Sequence, residues 1–127
     1  MIDLNEVYQS ADWKKEKHVP VIDIEKGDKQ IKIKLMVGKE IPHPNTTSHH
    51  IRWIDCYFKP DAEKFAVQVG RVEFAAHGAS AKGADTSNLL TKPAVSFVLS
   101  TEKSGTIIAT SYCNIHGLWQ NSVEVKL

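Results

Sequence analysis

Five of the six histidines in this 127-residue chain, and one of its two cysteines, fall in three short stretches: Glu16-Lys17-His18, His43-Pro44-Asn45-Thr46-Thr47-Ser48-His49-His50-Ile51-Arg52-Trp53, and Cys113-Asn114-Ile115-His116-Gly117-Leu118-Trp119. Only a folded domain can bring these stretches together, and the chemistry they share is metal binding. Thiolate with imidazole suits zinc, copper or iron, not magnesium or calcium. Structural zinc takes four ligands in a closed tetrahedron, whereas this chain offers one thiolate and four or five imidazoles. A blue-copper site would want a methionine close behind the cysteine, and the only methionines are Met1 and Met36. Five ligands leave one octahedral position open, which suits iron that binds a small molecule.

Within the stretches the residues are not equivalent. Cys113 and His116 share a strand-to-turn position, with Gly117 letting the chain turn. His43 lies between Pro42 and Pro44, and a residue before proline is held extended, which stiffens the loop that presents its ring. His49 and His50 are adjacent at the expected start of a strand, where successive side chains point to opposite faces, so at most one of them faces a given metal. Outside the stretches, Cys56 lies in an aromatic strand-like segment and reads as small core filler. His77 is taken as a structural or surface residue.

The elements that must position these groups are strands. Ile31, Ile33, Leu35 and Val37 alternate with Lys32 and Lys34, the period-2 pattern of a half-buried strand. Further strands are predicted over 49–59, 65–75, 94–100, 105–113 and 121–126, with a shorter one over 19–24. In 65–75 the apolar phase switches around Gly70, as a β-bulge would make it do. The segment around 3–12 can form a short helix, and 76–92 is a long loop with room for one helical turn. The pattern predicts one domain over 1–127, all-β, an immunoglobulin-like antiparallel β-sandwich of about seven strands.

Sixteen basic and fifteen acidic residues give a net charge of +1, so no global field draws the chain to nucleic acid or an anionic membrane. No apolar run reaches the roughly 18 residues of a membrane span. The charged first twenty residues lack the continuous apolar stretch that a signal peptide needs, and a soluble, cytoplasmic protein is expected.

The three stretches, in order and spacing, resemble those of superoxide reductase in its one-iron form, neelaredoxin, and the likeness runs through essentially the whole chain. The resemblance implies one iron per chain, cycling between Fe2+ and Fe3+. It implies four in-plane histidine ligands, His18, His43, His49 and His116, an axial Cys113, and a sixth position that is open in the ferrous state. His50 then faces away from the iron. The implied activity is one-electron reduction of superoxide to hydrogen peroxide without release of dioxygen, as a detoxification. Lys17 would attract the anion beside the open position and hold a water for proton delivery, and Glu16 would occupy the sixth position in the oxidised state. Backbone N–H groups of the turn after Cys113 are expected to hydrogen-bond its sulfur. The family further implies a rubredoxin-like electron donor and a homotetramer. No cysteine precedes Cys56, so the second, cysteine-rich iron centre of two-iron relatives is not expected.

Overall fold

The computed structural model describes all 127 residues. A short helix, α1 (Leu4–Val7), precedes seven strands: β1 (Pro20–Gly27), β2 (Gln30–Val37), β3 (Ile51–Pro60), β4 (Val67–Glu73), β5 (Ala94–Ser100), β6 (Gly105–Cys113) and β7 (Gly117–Val125). They form two antiparallel sheets, β1-β2-β5 and β4-β3-β6-β7. This is the immunoglobulin-like sandwich that the strand count predicts, with almost no helix.

The core follows from alternation. In β2 the buried residues are Ile31, Ile33, Leu35 and Val37, with both lysines exposed. Facing them across the sandwich are Ile54, Cys56 and Phe58 of β3 and Ile107, Ala109 and Cys113 of β6. Burying aliphatic side chains like these contributes on the order of 1.5–3 kcal/mol each. Cys56 is fully buried in this layer, and burial pushes its thiol up to about 12. It stays protonated, as a core filler should.

Several boundaries differ from the sequence expectation. The 65–75 segment contracts to Val67–Glu73, with the expected bulge: Cys56 pairs with Gly70 and Tyr57 with Gln68, leaving Val69 as the extra residue. β1 runs on past 24 to Gly27, because its hairpin with β2 pairs residues to Gly27 and Gln30. Strand β7 starts at Gly117, not 121, since the β6–β7 ladder zips up to Cys113 opposite Gly117. The loop 76–92 contains no helical turn. It folds through turns and two isolated bridges, His77 with Leu90 and Ser80 with Gly83.

A second bulge bears directly on chemistry. Strand β3 begins at Ile51, so His49 and His50 lie just before it and not in it. Ile51 pairs with Cys113 and Trp53 with Tyr112, leaving Arg52 unpaired on β3. Bulges re-aim side chains next to sites, and this one lies where the second and third stretches meet.

Candidate metal centre

The three stretches converge at one end of the sandwich. Donor atoms of His18, His43, His49 and Cys113 all lie within 4.8 Å of one another. The fifth residue, His116, stands outside that tightest group but beside it: its Nδ1 is 3.2 Å from His18 Nε2 and 3.9 Å from Cys113 Sγ. Metal–ligand bonds of about 2.0–2.3 Å put donors around one ion roughly 3–4.6 Å apart, so these spacings match a single ion.

Each donor is held by its own local structure. Cys113 ends β6, and the three-residue turn Asn114-Ile115-His116 folds back so that the His116 backbone N–H donates to Cys113 Sγ at 3.4 Å. This is the sulfur contact expected of that turn. His18 precedes β1, where its carbonyl accepts from Ser111 Oγ at 3.2 Å and its ring stacks on Trp119, 4.8 Å between centroids. Trp119 in turn donates Nε1–H to the His116 carbonyl. His49 is held by a turn in which its N–H donates to Thr46 Oγ1 and the Thr46 N–H donates to its carbonyl.

Two of the imidazoles turn Nε2 toward the other donors. His18 Nδ1 lies 2.6 Å from Glu16 Oε1, which also accepts from the His18 backbone N–H. His43 Nδ1 lies 2.6 Å from the Pro44 carbonyl. In both rings Nδ1 must carry the proton, which leaves the Nε2 lone pair free to bind, the arrangement that metal-bound histidines adopt. His43 Nε2 is 3.5 Å from Cys113 Sγ. His49 Nε2 is buried with no hydrogen-bond partner at all, and buried polar atoms are rarely left so. A metal would satisfy it.

Burial lowers the pKa of His43 to about 4 and also lowers those of His18 and His49, with neighbouring histidines and Lys17 adding to the effect. At neutral pH these rings are uncharged, as metal binding requires. Lys17 is half-buried and forms no ion pair, and its charge acts on all three rings. The Glu16 carboxylate stands behind His18, outside the group of donors.

His50 is directed elsewhere. Its Nδ1 donates to the Thr46 carbonyl, its Nε2 accepts from Arg52, and its ring stacks on His77 at 3.5 Å and 4°. His77 is thus half-buried and partnered, more than a surface residue. Asn114 is a structural residue to which sequence reasoning assigned no role. Its side chain accepts from the His50 N–H and donates to the Ser48 carbonyl, tying the second stretch to the third. Its place between Cys113 and His116 is the only signal that marked it.

Fold and donor set define a class: antiparallel β-sandwich proteins with a mixed imidazole–thiolate metal site at one end of the sheets. The chain belongs to the desulfoferrodoxin family, whose family model it matches over residues 10–122, and within that family to the superoxide reductases of neelaredoxin type. It is 57% identical over 123 residues to a superoxide reductase of Pyrococcus furiosus, covering 97% of this chain and 99% of that one. To the neelaredoxin of Megalodesulfovibrio gigas it is 49% identical, with 96% of each chain covered. The solved structure of a superoxide reductase (neelaredoxin) from Archaeoglobus fulgidus in the reduced form superposes with a TM-score of 0.92 at 54% identity, covering 95% of this chain and 99% of that one.

Proposed function

We propose that residues 1–127 form a single iron-binding domain that reduces superoxide to hydrogen peroxide without releasing dioxygen. The observation that carries this is the convergence of His18, His43, His49 and Cys113, with the unsatisfied Nε2 of His49 among them. Family membership supports iron as the metal and superoxide as the substrate. His18, His43, His49, His116 and Cys113 would hold one iron and leave it accessible to the substrate. When bound, the iron supplies the single electron by passing from Fe2+ to Fe3+.

The chain's own residues do the rest. Lys17 draws the anion toward the site, because a half-buried ammonium with no ion-pair partner attracts negative charge. Its hydrated Nζ also holds the water through which protons reach the departing peroxide. Glu16 fixes the His18 tautomer through Nδ1, and its carboxylate would serve as a further ligand to the oxidised iron. The His116 N–H on Cys113 Sγ draws charge from the thiolate and so tunes how strongly it donates.

A rubredoxin-like iron protein as electron donor, a homotetramer and a cytoplasmic setting complete the proposal. The donor rests on the family resemblance. Exposed Phe65 and Val67 at the β4 edge offer apolar surface that another copy would cover. A reducing compartment suits the two free cysteines, and no helix is long and apolar enough to cross a membrane.

The test supplies superoxide to the ferrous protein and follows superoxide loss, peroxide formation and dioxygen. Peroxide without dioxygen is expected. Dioxygen at half the superoxide consumed would mean dismutation and would overturn the reductase assignment.

A further inference from the structure

The loop 76–92 and its histidine play no part in the chemistry above, yet they are bound to the segment between His43 and His49 at two separate places. At one end, Asp85 adopts a left-handed backbone (φ 55°) that turns its carboxylate toward Thr47, accepting from the Thr47 N–H at 2.8 Å and from Thr47 Oγ1 at 3.2 Å. At the other end, His77 meets Asn45. The Asn45 amide donates Nδ2–H to the Thr91 carbonyl at 2.9 Å, which sets its orientation and aims Oδ1 at His77 Nδ1, 2.7 Å away. His77 Nε2 is anchored 2.8 Å from the Phe74 carbonyl at the end of β4. The face of the same ring lies flat on His50.

Residues 45, 47 and 50 are therefore all gripped from outside, and they lie between or directly beside His43 and His49. A free segment of this kind, rich in Asn, Thr and Ser, would let the two imidazoles drift apart, and ordering it costs roughly 1–2 kcal/mol of backbone entropy per residue. An external hold removes that cost before any metal arrives. We infer that the loop 76–92 is a clamp that sets the separation of His43 and His49, with His77 as its positioning residue. The inference rests on the assignment of His43 and His49 as metal ligands.

Metal binding by the folded chain tests it, with Co2+ alone as the probe, its affinity read by competition with a chelator and its donor arrangement by its visible absorption. His77→Ala should lower Co2+ affinity about tenfold or more, the range seen when a group supporting a metal ligand is lost, and should shift the spectrum. His77→Phe keeps a ring against His50 without the hydrogen bonds, and should lose less. Asp85→Gly removes the other attachment at a backbone conformation that glycine adopts freely, so the clamp remains testable if His77→Ala does not fold. His49→Ala serves as the ligand control. Wild-type affinity and spectrum in both His77→Ala and Asp85→Gly, with binding impaired in His49→Ala, would remove the clamp and leave the ligand assignment standing. Undiminished Co2+ binding by His49→Ala would remove the assignment, and the clamp with it.

Discussion

Stripping the metal from this protein should make its stability depend steeply on pH in a window where most proteins are indifferent. The cause lies in His43, whose pKa burial lowers from 6.5 to about 4. Above pH 6.5 the ring is neutral in both folded and unfolded chains, and the folded state keeps its full stability. As the pH falls below 6.5 the unfolded chain takes up a proton that the folded chain refuses until about pH 4, so stability is lost across that interval. At 1.36 kcal/mol per unit, His43 alone removes on the order of 3 kcal/mol, a change of a few hundredfold in the folding equilibrium. His18 and His49, also lowered, act in the same direction. The assay is denaturant unfolding of chelator-treated protein from pH 7.5 to 4, set beside His43→Gln and the iron-loaded protein. The mutant should lose about one proton's worth of pH slope, and the loaded protein should hold its midpoint to lower pH because the metal keeps its ligands deprotonated. A flat midpoint in the metal-free wild type, or an unchanged slope in His43→Gln, would refute the account of the buried imidazoles.

The other predictions concern single residues. Cys113→Ser should abolish thiolate-to-iron charge-transfer absorption, and survival of that band would take Cys113 out of the site. Lys17→Ala should slow superoxide capture about fourfold at low salt, the effect of losing one unit charge that contributes on the order of 0.8 kcal/mol in a watery dielectric. Its rate should also depend less on ionic strength, and an unaltered salt dependence would end the steering role. Glu16→Ala should leave turnover largely intact while changing the oxidised spectrum; an unchanged spectrum counts against closure of the site by Glu16. Gly70→Ala places a Cβ 2.5 Å from Phe97 Cε1, so the closure of β4 on β5 should weaken by about 1–3 kcal/mol, visible as a lowered unfolding midpoint with iron content unchanged.

Much of this molecule is written in local pattern. The Ile-Lys-Ile-Lys-Leu-Met-Val run determines β2 and which of its faces is buried, because period-2 alternation leaves a strand no other way to hide its apolar side chains. The phase switch at Gly70 marks the bulge for the same reason. The three histidine stretches and Cys113 name the candidate donors, since few other uses would gather so many imidazoles around one thiolate. Local pattern does not tell His49 from His50. That choice depends on the bulge at Arg52 in the β3–β6 ladder and on His77 lying against the His50 ring, both set by residues distant in sequence, together with the local Thr46 turn. The early start of β7 was hidden likewise, because Gly117-Leu118-Trp119-Gln120 becomes a strand only by pairing with β6.

His77 shows the division most sharply. A lone histidine between alanine and glycine carries no periodic or motif signal, and the sequence alone marks it only as a structural or surface residue. Its role arises when loop 76–92 folds back on residues 45–50, which brings its Nδ1 to Asn45 and its Nε2 to the Phe74 carbonyl. Sequence by itself determined the strands, the sandwich and the donor types, because alternation and donor chemistry are local properties of residues. Only the tertiary structure decided which donors meet and what holds their segments in place, because those depend on contacts between residues far apart in the chain.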